Sequence, residues 1–136
     1  MDARIVSTRQ MLEFYKAQAA DGGLANCPVR NVLDGVFGKW ASLLLLALAE
    51  QPYRFGALRR LVPDISQRML TQTLRDLQRD GYVHREVFAT TPPSVEYSLT
   101  DLGRSMFSTL HPLIEWAEQN FAQVQQSRAA FDAAGS

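Results

Sequence analysis

Apolar residues recur at helical spacing through most of the chain, and this pattern predicts a mainly α-helical fold. A first helix is predicted over residues 5–20. A second helix begins at Pro28, because proline suits the first helical position, and Gly38 marks its end. The run Trp40–Glu50 is apolar nearly all round, which is typical of a central helix buried on every side.

The next segment has the pattern helix, turn, helix. A short helix presents the apolar residues Phe55, Leu58, Leu61 and Val62. A four-residue break from Pro63 follows, in which Asp64 or Ser66 can cap the next helix. That helix runs from Ser66 to about Asp80 and ends at Gly81, because glycine is a frequent helix terminator.

Two short segments rich in β-branched and aromatic residues, Tyr82–Phe88 and Val95–Leu99, flank a proline-containing tip and predict a β-hairpin. Thr100-Asp101 then begins a long C-terminal helix. We expect Pro112 to kink or interrupt this helix, because proline lacks the backbone N–H that would bond four residues back. Residues Ala129–Ser136 are expected to be frayed.

Composition is that of one ordinary compact domain. The chain has 136 residues and a single cysteine, which excludes an internal disulfide. The apolar run Trp40–Ala49 is far shorter than the roughly 20 residues that a membrane-spanning helix needs. No apolar signal-peptide core is found at the N-terminus, so we expect a cytoplasmic protein without membrane contact.

Basic charge is concentrated in the middle of the chain. The formal net charge is zero, so binding to nucleic acid has to depend on local asymmetry. Between Arg54 and Arg85 there are seven arginines and only three acidic residues. Arginine outnumbers lysine twelve to two, which favours bidentate contacts to phosphate or guanine.

The predicted helix Ser66–Asp80 has two contrasting faces. At 100° per residue, Leu70, Leu74 and Leu77 form an apolar stripe, and the opposite strip carries arginine, glutamine and threonine. A helix fits the roughly 12 Å major groove of DNA, where arginine binds guanine and glutamine binds adenine. The predicted base-reading residues are Ser66, Gln67, Arg68, Thr71, Gln72 and Arg75. We call the predicted β-hairpin the wing. The residues predicted to contact phosphate, or to contact DNA from the wing, are Arg54, Arg59, Arg60, Arg79, His84 and Arg85. The alternative is a solvated basic face with no partner.

These elements occur in the order of a winged helix-turn-helix domain. The sequence resembles the HxlR-type transcriptional regulators, relatives of the MarR group, over residues 27 to about 116. The blocks that carry the resemblance are Cys27-Pro28-Val29, Gly38-Lys39-Trp40, Phe55-Gly56-Ala57-Leu58-Arg59-Arg60, Ile65-Ser66-Gln67-Arg68-Met69-Leu70-Thr71, Leu74-Arg75-Asp76-Leu77, Asp80-Gly81-Tyr82-Val83-His84-Arg85 and Pro92-Pro93-Ser94-Val95-Glu96-Tyr97-Ser98-Leu99-Thr100.

The resemblance implies a homodimer whose two recognition helices bind the two half-sites of an imperfect palindrome in double-stranded DNA. Residues 1–136 then form a single domain, with a dimerisation helix at 5–20, a winged core at 27–100 and a second dimerisation helix at 101–126. Ser94 stands where the family often has a basic residue, so Arg85 is the better candidate for a wing contact. Arg30 stands where the family often has an acid.

Two kinds of effector are compatible with the sequence. Cys27 precedes a predicted helix start, where the helix dipole favours a thiolate. Some members of the resembled family sense oxidants or electrophiles through a cysteine at this position. The alternative for Cys27 is an inert buried thiol. An aromatic effector can bind between subunits in a pocket lined by Phe14, Tyr15, Trp40, Trp116 and Phe121. Packing in the core and the dimer is the more common role of aromatics at helical spacing.

No enzymatic or metal site is predicted. His84 and His111 are far apart and lack partners at ligand spacing, and no glycine-rich phosphate loop is present. We therefore expect no cofactor and no catalytic activity. A winged helix that binds another protein instead of DNA is the remaining alternative, but such a surface is expected to be apolar rather than cationic.

Overall fold

The computed structural model describes residues 7–20 and 28–135, so Cys27 lies outside the described residues. It confirms a mainly helical chain with a small sheet. The helices are α1 Thr8–Ala20, α2 Pro28–Val36, α3 Lys39–Glu50, α4 Phe55–Leu61, α5 Gln67–Arg79 and α6 Asp101–Ala133. The strands are β1 Tyr53–Arg54, β2 Val83–Phe88 and β3 Ser94–Leu99.

Helix α3 forms the centre of the core, but it is not buried on every side as its sequence predicts, because Leu43 is 37% exposed and Leu46 is 39% exposed. Leu44, Leu45 and Leu48 are at most 1% exposed. The buried residues of α4, α5, β2, β3 and α6 belong to the same core cluster. Helix α3 therefore supports both the helix-turn-helix segment and the sheet.

No single helix among the described residues is long and apolar enough to cross a membrane. Helices α2 and α3 meet that test only when taken together, and the pair is bent by 75°. The expected cytoplasmic location stays a prediction.

The sheet has three antiparallel strands in the order β1-β3-β2. The predicted hairpin is confirmed as β2 and β3, although Tyr82 precedes β2 and the second strand begins one residue earlier than predicted, at Ser94. Strand β1 was not predicted. It contains only two residues, too few for any alternation pattern, and exists because Tyr53 pairs with Tyr97 and Arg54 with Glu96.

The end of α5 is closed as its glycine predicts. Gly81 has a φ of 86°, a conformation that favours glycine. The N–H groups of Gly81 and Tyr82 bond to the carbonyls of Gln78 and Leu77, the pattern of a Schellman motif. Burial raises the pKa of the Tyr82 hydroxyl above its ordinary value, and Asp80 raises it further. Tyr82 is therefore a neutral member of the core.

The structure contradicts the expected interruption and the expected fraying of the C-terminal helix, and the expected kink at Pro112 stays a prediction. Thr100 caps α6 as predicted, its hydroxyl accepting from the Gly103 N–H at 3.0 Å. The helix is not interrupted at Pro112, because Leu110 and Ile114 pack against the core on both sides of it. It also continues beyond residue 126 to Ala133, so the fraying expected from Ala129 is absent up to that point. This last part, residues 127–133, has alanine at three of its seven positions, and alanine favours helix.

The predicted apolar face of α4 is wrong at Leu61, which does not belong to the core. Leu58 is fully buried and Val62 is 6% exposed, but Leu61 is 49% exposed. The reason is that α4 ends at Leu61, and the chain turns at Val62 before the next helix. The other predicted face residue, Phe55, packs against the core.

Candidate nucleic-acid interface

Helix α5 holds its apolar and polar faces in the orientation that its sequence predicts. Ser66 is the N-cap, and its hydroxyl accepts from the Met69 N–H at 3.0 Å. Leu70, Leu74 and Leu77 are at most 1% exposed and fix the helix on the core. The opposite strip is therefore directed to solvent.

All six predicted base-reading residues are exposed and lie at the N-terminus or on the outer strip of α5. They are Ser66, Gln67, Arg68, Thr71, Gln72 and Arg75. Arg79 is also exposed, in the last turn of the helix. The structure therefore gathers these side chains on one surface, which we call the α5 strip.

Two hydrogen bonds orient glutamine side chains of the α5 strip, and the sequence analysis missed both. The Arg59 Nη1 donates to Gln67 Oε1 at 3.0 Å, which links α4 to α5. The Gln72 Nε2 donates to Asp76 Oδ1 at 2.9 Å. The second bond has the i, i+4 spacing of helical side-chain pairs and was detectable from sequence, whereas the first depends on the turn between two helices.

The arginines of α4, α5 and β2 form no ion pair within the part of the chain that the structure describes. Within the described part of the chain, the ion pairs join Arg9 and Lys16 to Glu13, and His111 to Glu115 when His111 is protonated. None of these pairs involves an arginine of α4, α5 or β2. Arg59 differs from Arg60 in that it is half-buried and bonded to Gln67. Arg60 is thus the freer candidate for a phosphate contact.

The two wing candidates point to opposite faces of the sheet. His84 lies opposite Ser98, and Arg85 lies opposite Tyr97. Because successive side chains of a strand alternate between faces, His84 and Arg85 belong to different surfaces of the sheet. Sequence proximity alone had grouped them.

Arg54 shares its sheet face with two acidic residues. It is paired with Glu96, which in turn is paired with Glu86 on β2. Directly paired residues place their side chains on the same face, so these carboxylates weaken the positive potential around Arg54. Arg54 is consequently a poorer phosphate ligand than its exposure suggests.

A groove of about 490 Å³ separates the start of α4 from the wing tip. Arg54 and Arg60 line one side, and Pro93, Ser94 and Val95 line the other. The Arg60 guanidinium is the better suited of the two to phosphate oxygens, because Arg54 shares its sheet face with Glu96 and Glu86. The two sides of the groove come from segments that are far apart in the sequence, so only folding brings them together.

The predicted aromatic cluster is divided within one chain. Trp40 lines a cavity of about 470 Å³ against α5, and the Lys39 Nζ lies 4.7 Å from the centre of its ring. Trp116 lines a separate groove of about 330 Å³ on α6. Among residues 7–20 and 28–135, no group of three or more His, Cys, Asp or Glu residues is placed to hold a metal ion.

Residues 36–125 match the family model described as HxlR-like helix-turn-helix. The chain belongs to this family. It is 44% identical over 104 residues to the HTH-type transcriptional regulator YdeP of Bacillus subtilis (strain 168), covering 76% of this chain and 81% of that protein. The resemblance to HxlR-type regulators that the sequence motifs indicated is confirmed.

Solved structures give the same assignment. The redox regulator HypR in its oxidized form has a TM-score of 0.65 and 47% identity, covering 69% of this chain and 97% of that chain. The transcriptional regulator ytfH from Salmonella typhimurium has a TM-score of 0.71 and 40% identity, covering 77% and 94%. The chain is therefore a DNA-binding transcriptional regulator with a winged helix-turn-helix fold. Its family consists of regulators rather than enzymes.

Proposed function

We propose that the chain binds a palindromic DNA operator as a homodimer and reads base sequence with the α5 strip. The observation that supports base reading is the exposure of the arginine and glutamine side chains of the α5 strip. Leu70, Leu74 and Leu77 are buried on the opposite side of the helix, a row that we call the leucine seam. Arg75 and Gln72 present the groups that pair with guanine and adenine in the major groove. Arg79, in the last turn of the strip, contacts phosphate rather than a base, and Arg60 and Arg85 supply phosphate contacts outside the strip.

Base reading and phosphate contact are expected to separate in mutants. Arg75→Ala is expected to cost about 1–3 kcal/mol of binding free energy on the operator, concentrated on particular base pairs. Arg60→Ala is expected to weaken binding to all sequences alike and to flatten its salt dependence, because one fewer counterion is released. Fluorescence anisotropy with operator and random duplexes at several salt concentrations measures both effects.

Arg104→Ala is the matched control, because Arg104 is an exposed arginine on α6 outside the α5 strip. It removes the same charge and is expected to leave base preference unchanged. An equal loss of affinity by Arg75→Ala on operator and random DNA would show that this side chain does not read bases.

Unpaired apolar side chains support the proposed homodimer. On α1, Met11, Leu12 and Phe14 are all about half exposed or more, and on α6 Trp116 is 56% exposed and Phe131 is 61% exposed. A two-fold partner that covers these faces removes them from water. Along the chain, the winged core at 27–100 then lies between the two proposed dimerisation helices. The first, predicted at 5–20, begins at Thr8 in the described residues, and the second, predicted at 101–126, extends to Ala133.

The homodimer is expected to sediment at twice the chain mass at micromolar concentration. Its two recognition helices then meet half-sites about 34–36 Å apart, one turn of DNA. Trp116→Glu, which places a charge in the proposed interface, is expected to shift the equilibrium to monomer. Glu118→Gln is the control on the same helix. A wild-type monomer under these conditions contradicts the half-site geometry.

Cys27 is proposed as a redox or electrophile switch. The supporting facts are its position directly before α2, which begins at Pro28, and the similarity to HypR, a redox regulator solved in oxidized and reduced forms. Oxidation or alkylation of the thiol, or an intersubunit disulfide, then changes DNA affinity. The alternative remains an inert, buried thiol.

Cys27→Ser tests this switch directly. Wild-type operator affinity is expected to change after treatment with an oxidant or aldehyde and, for the oxidant, to return with a thiol reductant. Cys27→Ser is expected to bind the operator normally and to ignore both reagents. Fluorescence anisotropy before and after treatment measures the affinity. If Cys27→Ser responds to the reagents as wild type does, this cysteine is excluded as the sensor.

An aromatic small molecule is the second kind of effector, and the cavities beside Trp40 and Trp116 are its candidate binding sites. A tryptophan lines each of them, and aromatic side chains are common in the sites of small molecules. The protein-interaction alternative is less well supported, because the exposed strip of α5 is polar and cationic rather than apolar.

A further inference from the structure

The hydrogen bond between Gln72 and Asp76 gives the Gln72 amide a fixed direction. Nε2 of Gln72 lies 2.9 Å from Oδ1 of Asp76. An ionised carboxylate only accepts hydrogen bonds, so the amide nitrogen has to face Asp76. The amide oxygen Oε1 then faces away from Asp76, and it accepts no hydrogen bond from the residues that the structure describes.

We infer that Asp76 is a specificity-determining positioning residue that makes Gln72 present a hydrogen-bond acceptor to the major groove. This inference depends on the proposed base reading by α5. In the groove, adenine and cytosine display an amino group, whereas guanine and thymine display a carbonyl oxygen at the corresponding place. A free glutamine turns its amide to suit either kind of base, but Gln72 held by Asp76 accepts from an amino group.

Adenine is the base that satisfies the held amide most fully. One N–H of the Gln72 amide forms the hydrogen bond to Asp76, and its second N–H remains free to donate to an acceptor on a base. Adenine offers its N6 amino group to Oε1 and its N7 to that second proton, whereas cytosine offers only the amino group. Asp76 itself contacts no base in this arrangement and acts through Gln72.

Overall affinity does not report this role, because Asp76 also repels the phosphate backbone. Removal of any exposed acid near the interface is expected to strengthen binding to every sequence. The informative quantity is the preference between bases at the position where Gln72→Ala loses discrimination. Asp64, exposed in the turn before α5, provides the charge-matched control.

The experiment measures this preference for full-length protein on operator duplexes that carry adenine or guanine at that position. Wild type is expected to prefer adenine. Asp76→Asn has almost the same shape, but its amide both donates and accepts, so Gln72 can turn and the preference is expected to fall about fivefold or more. Asp76→Glu keeps an acceptor-only group and is expected to retain the preference. Asp64→Asn is expected to bind all duplexes more tightly with the preference unchanged.

A base analogue identifies the group on the DNA. Replacing that adenine by 2-aminopurine removes the N6 amino group and keeps N7, and it is expected to weaken wild-type binding about fivefold or more. An undiminished adenine preference in Asp76→Asn, or an equal loss in Asp76→Glu, overturns the positioning role. Absence of any base preference in wild type instead contradicts base reading itself, so the two failures are distinguishable.

Discussion

Replacing Leu70 by alanine is expected to lower the free energy of unfolding by about 2–5 kcal/mol. Leu70 is fully buried in the seam between α5 and the core, where its removal leaves a cavity as well as a loss of apolar burial. Thermal or urea unfolding followed by circular dichroism measures the change. Because a dimer is proposed, both proteins have to be compared at one chain concentration.

The neighbouring residue supplies the control. Met69 lies next to Leu70 in the same helical turn but is 44% exposed. Met69→Ala is therefore expected to cost far less, within about 0.5 kcal/mol of wild type. Similar losses in both variants would mean that the seam does not hold α5. At temperatures where Leu70→Ala is still folded, its base preference is expected to match wild type, because no group of the α5 strip has changed.

Gly103→Ala is expected to destabilise the fold by about 3 kcal/mol, at the upper end for overpacking. A Cβ at Gly103 meets the backbone carbonyl of Tyr82, and it also lies 3.1 Å from the Leu99 Cδ2. The carbonyl cannot move freely, since it accepts from the Thr100 N–H at 3.0 Å. This contact joins the start of α6 to the end of α5, so the wing and the proposed dimer helix both depend on it.

Gly56→Ala is the matched substitution with the opposite expected sign. Gly56 lies inside α4, and an added Cβ meets only the Arg60 Nη1 at an ordinary 3.5 Å. Alanine is favoured over glycine in helices by up to about 1 kcal/mol, so stability is expected to stay or rise. Unfolding curves of the two variants under the same conditions give the comparison. Equal stability of Gly103→Ala and wild type would contradict the close packing at this junction.

Helix α5 illustrates how much of the structure the sequence alone predicts. The capping serine, the leucine stripe and the terminating glycine are local signals, and each does in the structure what its sequence position predicts. The exposed arginine and glutamine positions follow from the same stripe, because a helix with one buried face has its opposite face in water. The hairpin and the cap of α6 by Thr100 also follow from neighbouring residues.

The features that sequence reasoning missed depend on contacts between distant segments. Strand β1 exists only through its pairing with β3, and Leu61 is exposed because α4 ends there. The persistence of α6 through Pro112 reflects packing on the core, which overrides the local preference of proline.

The sequence by itself determined the helix-turn-helix and wing, the family, and the residues that face solvent on α5. Period and capping are properties of a single segment, which is why they could be recognised without the fold. Only the tertiary structure decided that His84 and Arg85 face opposite ways, that Arg54 lies beside two carboxylates, and that Arg59 holds Gln67. Strand register and the angle between helices set these relations, because they are fixed by packing of the whole domain rather than by local propensity.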